Sequence, residues 1–422
     1  MRIDTIEVNG FRCFSESRFE FHPNFNLIVG NNQAGKTSLL DALAVAAGAW
    51  MLGMRGLDKR NLTAGDVRLH PEYSKDGKRF HSFEEDQRTE VKAKGHVLGQ
   101  DLVWARDVKG RKGRTTSINA KKMIEVAEGA AECVRTGKNV ILPLISYYGT
   151  GRLWQIPKNM QNSRPVKRQA ELSRLEGYKN SLDKRCNQTD LIRWMKRQDW
   201  MAFQKHEQQP ISIAVKKSIT QCLENGRNIW YDAEYLTIIV EFEGQKAQRF
   251  ETLSDGMRNM VSMIGDIAIK AAQLNPHLGE KSILETPGIV LIDELDLHLH
   301  PRWQRKIVND LKRTFPKIQF ICTTHSPQII GEVLPSELMI LDNGISHSPE
   351  SSIGVDSNRI LQELMNAPTR NETVQNQMDA ISLLIDEESF EDARSKIELL
   401  KKTIGQNDAE IVHFESIMTF LE

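Results

Sequence analysis

Nowhere in the 422 residues does an apolar run approach the roughly 18 needed to cross a bilayer, and the amino terminus lacks the pattern of a secretory leader. Both absences argue against a membrane protein and predict a cytoplasmic one. Cysteine is scarce: Cys13, Cys133, Cys186, Cys222 and Cys322 are scattered with no Cys-x-x-Cys pair, and read as reduced thiols. Net charge is missing as well, with 56 Lys+Arg against 56 Asp+Glu. No internal repeat, low-complexity tract or sustained heptad pattern is present, which excludes repeat arrays and long coiled-coil arms. A hydrophobic content of 40% is that of an ordinary globular chain, and its length suffices for one large domain with an inserted lobe.

Against this plain background one stretch stands out. Gly30-Asn31-Asn32-Gln33-Ala34-Gly35-Lys36-Thr37 lies between the apolar run Phe25 to Val29 and a helical pattern opening at Ser38. Strand, glycine-rich turn and helix in that order make a P-loop. The glycines let backbone N–H groups wrap phosphate oxygens, Lys36 supplies a charge to the β- and γ-phosphates, and the Thr37 hydroxyl is a Mg²⁺ ligand. The expected ligand is therefore ATP with Mg²⁺.

Far downstream, Gly288-Ile289-Val290-Leu291-Ile292 reads as a central strand buried on both faces, ending in Asp293-Glu294. Two acids at the end of such a strand are costly unless a cation or a reaction uses them. Asp293 is placed to hold Mg²⁺ and Glu294 to polarise the attacking water.

Between these elements lies Thr252-Leu253-Ser254-Asp255-Gly256-Met257-Arg258-Asn259, and after them Leu295-Asp296-Leu297-His298-Leu299-His300-Pro301 and a strand ending at His325-Ser326-Pro327. This series resembles the motifs of ATP-binding-cassette ATPases in their family order. Asp255 and Met257 depart from the signature consensus in the manner of the SMC-like and RecF-like branch. The resemblance implies that Ser254 and Gly256 contact the γ-phosphate held by a second copy, that Asp296 is the D-loop residue acting across the dimer, and that His325 is the switch histidine. His298 and His300 lack a nearby third ligand and fit the D-loop better than a metal site. The opening Asn9-Gly10-Phe11-Arg12-Cys13-Phe14 also resembles RecF, SMC and OLD-type ATPases, implying that Arg12 lies near the nucleotide. Gln155 falls where the family has its Mg²⁺-sensing glutamine. The zinc hook that tips some SMC-like proteins is absent.

The expected fold is α/β: a P-loop head with a mixed central sheet, a small antiparallel β-subdomain (about residues 55–122), an inserted helical lobe and a short helical tail. The divisions are 1–150, the lobe and β return at 151–250, the signature-to-switch part at 251–348, and an acidic tail at 349–422. From Arg152 to Arg227 there are 16 basic against 7 acidic residues, whereas from Glu350 onward there are 6 against 15. The basic lobe is compatible with a nucleic-acid backbone or with plain solvated helices. Trp194, Trp200, Phe203 and Trp230 recur at helical spacing and are expected in the core. In the tail, Leu383, Leu384, Phe390, Ala393, Ile397 and Leu400 are expected to form one apolar stripe.

That tail resembles the ATPase subunit of Septu-type anti-phage systems, including those beside retrons. The resemblance implies a homodimer or higher homo-oligomer joined through ATP, with a separate HNH nuclease as partner and no membrane association. Two other functions stay open: a RecF-like ATPase acting directly on DNA, and a nucleotide-sensing scaffold with little turnover.

Overall fold

The computed structural model describes residues 1–73, 80–85, 88–152, 174–184 and 188–421; Gln155 and Cys186 lie outside them. The chain divides into two units, Met1–Val355 and Asp356–Glu422.

The first unit opens with an antiparallel pair, β1 (Arg2–Phe11) and β2 (Phe14–Glu20), before β3 (Phe25–Val29) runs into the glycine-rich turn and α1 (Lys36–Ala47). A hairpin, β4 (Leu69–Tyr73) and β5 (Phe80–Glu85), precedes β6 (Thr89–Val97) and β7 (Gln100–Val108), then α2 (Lys121–Arg135) and β8 (Leu144–Tyr148). Two lobe helices, α3 (Gln188–Lys205) and α4 (Pro210–Gln221), lead into β9 (Gly226–Asp232), β10 (Thr237–Phe242) and β11 (Gln248–Arg249). The chain returns through α5 (Asp255–Leu274), α6 (Ser282–Glu285), β12 (Gly288–Ile292), α7 (Pro301–Thr314), β13 (Ile318–Thr323), α8 (Pro327–Ile330), β14 (Leu338–Asp342) and β15 (Ile345–His347).

The central sheet has the order β15-β14-β3-β13-β12-β8. All its neighbours are parallel except the edge hairpin β14–β15. Each of β3, β8, β12 and β13 is buried along its whole length, as strands covered on both faces must be. A second, antiparallel sheet, β2-β1-β6-β7, draws β6 and β7 from the stretch where the β-subdomain is expected and adds β1 and β2 from the start of the chain. Here burial alternates, as in β6, because one face meets the core and the other solvent. Gln319 at the start of β13 links the two sheets: its side chain accepts from the Ile3 N–H at 2.9 Å and donates to the Ile3 carbonyl at 2.8 Å.

The lobe corrects one expectation. Trp194 and Trp230 are half-buried, but Trp200 and Phe203 are 60% and 71% exposed on α3 and stack on each other, ring centroids 6.0 Å apart. Leu191 and Met195 are the buried residues of that helix. Five positions separate Met195 from Trp200, which turns the latter well away from the packed face.

The second unit comprises α9 (Ser357–Glu363), α10 (Glu372–Asp386), α11 (Phe390–Ile404) and α12 (Ala409–Leu421). Its core joins Met378, Ile381 and Ile385 of α10 to Ala393, Ile397 and Leu400 of α11 and Ile411, Phe414 and Met418 of α12. Leu384 and Phe390 pack at its margin, but Leu383, expected in the stripe, is 61% exposed. It lies two residues from Ile381, on the opposite side of the helix.

An ionic network staples α1 to the β-subdomain. Asp41, fully buried on α1, ion-pairs with Arg12 and, at 2.8 Å, with Lys184; Arg12 and Arg60 also bind the buried Asp66, at 2.8 and 3.3 Å. Burial by itself would raise the Asp66 carboxyl, yet Arg60, Thr63 and Arg12 outweigh it and hold Asp66 below its usual 3.8. Such a group stabilises the fold above its unfolded pKa, near 4, and loses that contribution as pH falls through the lower folded value. Asp66→Asn should therefore lower the melting temperature at neutral pH, by the equivalent of about 3 kcal/mol. The deficit should shrink as melts are taken from about pH 5 to about pH 3. A deficit that stays constant over this range would mean that the charge of Asp66 contributes nothing.

Candidate functional site

Strands β3, β13 and β12 are side-by-side neighbours running in the same direction, with Thr323 beside Ile28 and Ile292 beside Cys322. Their carboxyl ends therefore open on one edge of the sheet, where parallel sheets bind ligands. The glycine-rich turn, Asp293-Glu294 and His325 follow those three ends.

The turn requires its glycines. Gly35 has φ +100°, and a Cβ there would come within 2.7 Å of the Cys13 sulfur and the Phe14 ring; a Cβ on Gly30 would meet the Leu341 carbonyl oxygen at 2.3 Å. Lys36 folds back to donate to the carbonyls of Gly30 at 2.8 Å and Asn31 at 3.1 Å, holding the turn closed. Gly35 caps α1 without any side chain bonding the first-turn N–H groups, so these donors face the turn. Burial pulls the Lys36 ammonium below the ordinary lysine value, against the opposing charges of Asp293, Glu294 and Asp296.

A cleft of about 280 Å³ brings Asn32, Gly35, Lys36, Thr37 and Ser38 together with Asp293, Glu294 and His325. The Thr37 hydroxyl lies 3.2 and 3.0 Å from the two carboxylate oxygens of Asp293. A hydroxyl and a carboxylate converging in this way form the hard-oxygen donor set that suits Mg²⁺, beside backbone donors that suit a triphosphate. Gly30 and Asn31 meet the cleft indirectly, as acceptors for Lys36.

Arg12, Asp296, Ser254 and Gly256 do not line it. The Arg12 side chain is spent on Asp41 and Asp66, and its neighbour Cys13 takes the rim instead. Burial alone would lower the Arg12 guanidinium, but those two acids outweigh it and raise it. Asp296 turns toward the loop after β13, accepting from the Thr324 hydroxyl at 2.6 Å and the His325 N–H at 3.3 Å. Ser254 is exposed and caps α5, accepting from the Met257 N–H at 3.3 Å. His300 caps α7, accepting from the Arg302 N–H at 3.3 Å.

Three contributors have no role in the sequence reading, although Asn259 closes the motif stretch that begins at Thr252. Thr323 donates to Asp293 at 2.7 Å and accepts from the Glu294 N–H at 2.8 Å. Arg152 donates to the backbone carbonyls of both acids, and Asn259 accepts from Arg152. A Thr-Thr pair directly before the switch histidine was the available hint for Thr323.

This sheet, turn and acid pair define the class: a P-loop ATPase head of SMC-like fold. The chain belongs to the AAA-domain family, whose sequence profile matches residues 5–226, more than half its length. A second AAA-domain profile matches residues 154–331. The chain is 25% identical to "Retron Ec83 probable ATPase" of Escherichia coli, over 98% of this chain and 86% of that protein. It is 36% identical to "Septu protein PtuA" of Bacillus mycoides (strain KBAB4) over 30% of this chain and 17% of that one. The solved SMC head bound to the C-winged helix domain of ScpA aligns with 83% of this chain and 98% of its own, at TM-score 0.51 and 16% identity, a likeness of fold alone.

Gly256 serves the fold before any ligand. A Cβ there would lie 2.3 Å from the His298 carbonyl oxygen, with the Trp303 ring at 3.5 Å, so the start of α5 packs directly on the backbone of the loop after β12. Gly256→Ala should cost about 1–3 kcal/mol in stability through overpacking. Chemical denaturation would register it even with no nucleotide present; an unchanged midpoint would leave the glycine with a ligand-contact role only.

Proposed function

We propose that this chain is the ATP-hydrolysing subunit of a bacterial anti-phage defence complex, in which two copies close head to tail over ATP and govern an associated HNH-type nuclease. The observation that carries the reading is the gathering of Lys36, Thr37, Asp293, Glu294 and His325, from separated stretches, around one cleft. The retron- and Septu-named relatives support the defence setting.

In this reading the triphosphate lies along Gly30 to Ser38, with Lys36 on its β- and γ-phosphates. Mg²⁺, held by Thr37 and Asp293, would offset the charge that builds on the phosphate oxygens. Glu294 takes the proton of the attacking water, and His325 senses the γ-phosphate. Ser254 and Gly256 of a second copy complete the site, so hydrolysis is tied to assembly. The acidic tail, residues 349–422, is assigned to nuclease docking.

Lys36→Ala should weaken ATP binding by two orders of magnitude or more, roughly the worth of a charge-assisted phosphate contact in a partly buried site. Glu294→Gln should keep ATP, slow hydrolysis by about 10²–10⁴-fold, and accumulate a dimer in light scattering when ATP is added. Full ATP affinity in Lys36→Ala would sink the assignment. Co-purification of a neighbouring nuclease whose activity ignores ATP would sink the regulatory half.

A second activity of the same subunit is favoured by α3. The exposed Trp200–Phe203 stack continues a helix face that begins with Arg193, Lys196 and Arg197, at positions recurring every three or four residues. Cations followed by a stacked aromatic pair suit a single-stranded nucleic acid, whose phosphates and bases they would meet in turn. A single-stranded oligonucleotide should quench tryptophan fluorescence at low salt, and Trp200→Ala with Phe203→Ala should weaken binding about tenfold or more without altering its salt slope. Binding that survives the double substitution unchanged would refute this role.

A further inference from the structure

Arg152 is 1% exposed and is not among the residues that line the cleft; its guanidinium meets the backbone of two that do. Nη1 donates to the carbonyls of Gly149 at 3.0 Å and Asp293 at 2.7 Å, Nη2 to the carbonyl of Glu294 at 2.7 Å, and Nε to the Asn259 side-chain oxygen at 2.8 Å. Asn259 lies on α5, the helix capped by Ser254, and its amide donates onward to the Leu297 carbonyl at 3.1 Å. Glu294 has φ +52°, a left-handed conformation that a glutamate adopts only when its surroundings impose it. A planar five-donor fork can impose it, because it fixes two consecutive carbonyls at once.

From these contacts we infer that Arg152 is a positioning residue for the hydrolysis step, and that through Asn259 it ties the attitude of Glu294 to the signature helix. When α5 shifts on meeting the γ-phosphate of the other copy, Asn259 and Arg152 shift with it, and the peptide that carries Glu294 follows. Arg152 then acts on turnover and scarcely on ATP binding. The inference rests on Glu294 being the base, as proposed above.

The test separates binding from turnover in the full-length chain, using ATP for rate and the non-hydrolysable analogue AMP-PNP for affinity. Arg152→Lys and Asn259→Ala should each lower kcat about tenfold or more while AMP-PNP affinity stays within about threefold. Asn259→Asp keeps an oxygen acceptor for Arg152, now charged, and exchanges the donor to the Leu297 carbonyl for an opposing oxygen; it should still recover most of the rate lost in Asn259→Ala. Because Asn259 reaches Glu294 through Arg152, the double variant should be no slower than the slower single one, within about twofold. Parent-like kcat, parallel losses of rate and affinity, or multiplied defects in the double variant would each overturn the inference. Should Arg152→Lys fail to fold, the two Asn259 variants still decide by the same readouts. Glu294→Gln is assayed alongside: parent-like turnover there overturns the choice of base, whereas a dead Glu294→Gln beside fast Arg152 and Asn259 variants overturns only the coupling.

Discussion

The buried Asp293 carboxylate is the constraint that the head is built around. An unsupported carboxylate at 5% exposure would be costly, and the chain supplies two hydroxyls to it, Thr37 from the start of α1 and Thr323 from the end of β13. Both donors arrive only if β13 lies between β3 and β12 in the observed register. Sliding β13 by one residue would replace Thr323 with Cys322 or Thr324 and turn the side chain to the other face. The same Thr323 oxygen receives the Glu294 N–H, so the correct register also sets the backbone of the neighbouring acid. Sheet topology and site chemistry are thus one condition.

Helix α1 is held at both ends for a related reason. Its first turn carries Lys36 and Thr37 into the cleft, and Asp41, one turn on, anchors the ionic network with Arg12 and Lys184. At its far end the Trp104 indole N–H donates to the Ala46 carbonyl at 2.9 Å, fastening the helix to β7. Rotating α1 to move Thr37 would therefore break contacts with both the β-subdomain and the stretch around Lys184. The cost of burying Asp41 and Asp66 is offset by the cations and the Thr63 groups that bind them.

Contiguous motifs were legible in the sequence because backbone conformation and chemistry coincide there. The glycine-rich turn needs its glycines for space as well as for phosphate, and the apolar run before Asp293 is a strand buried on both faces. What stayed hidden are partners far apart in the chain: Arg152 meets Asn259 and Asp293 across more than a hundred residues, and nothing local to Gly149-Thr150-Gly151-Arg152 announces a carbonyl clamp. The apolar periodicity of α3 identified a helix but not which aromatics face inward; Leu191 and Met195 do, so Trp200 and Phe203 are left in solvent. Leu383 was misplaced in the same way, since α10 buries the row Met378, Ile381 and Ile385. Arg12 was expected at the nucleotide because its motif sits beside the turn, but two buried acids, themselves unremarkable in sequence, claim its side chain.

The loops after β12 and β13 behave as one packed body. Asp296 accepts from Thr324 and His325, and Gln304 of α7 both accepts from the Ser326 hydroxyl at 2.7 Å and donates to the Leu299 carbonyl at 2.8 Å. On the other side, Gly256 of α5 packs on His298 and Asn259 reaches Leu297, so the signature helix joins the same body. On the proposed reading, a second copy closing over ATP would press not on an isolated aspartate but on a block in which the loops after β12 and β13 and the start of α5 are packed and hydrogen-bonded together. Any displacement of Asp296 reaches His325 through a single bond to its backbone. On that reading, contact made outside one cleft would be felt inside it without a long chain of intermediates.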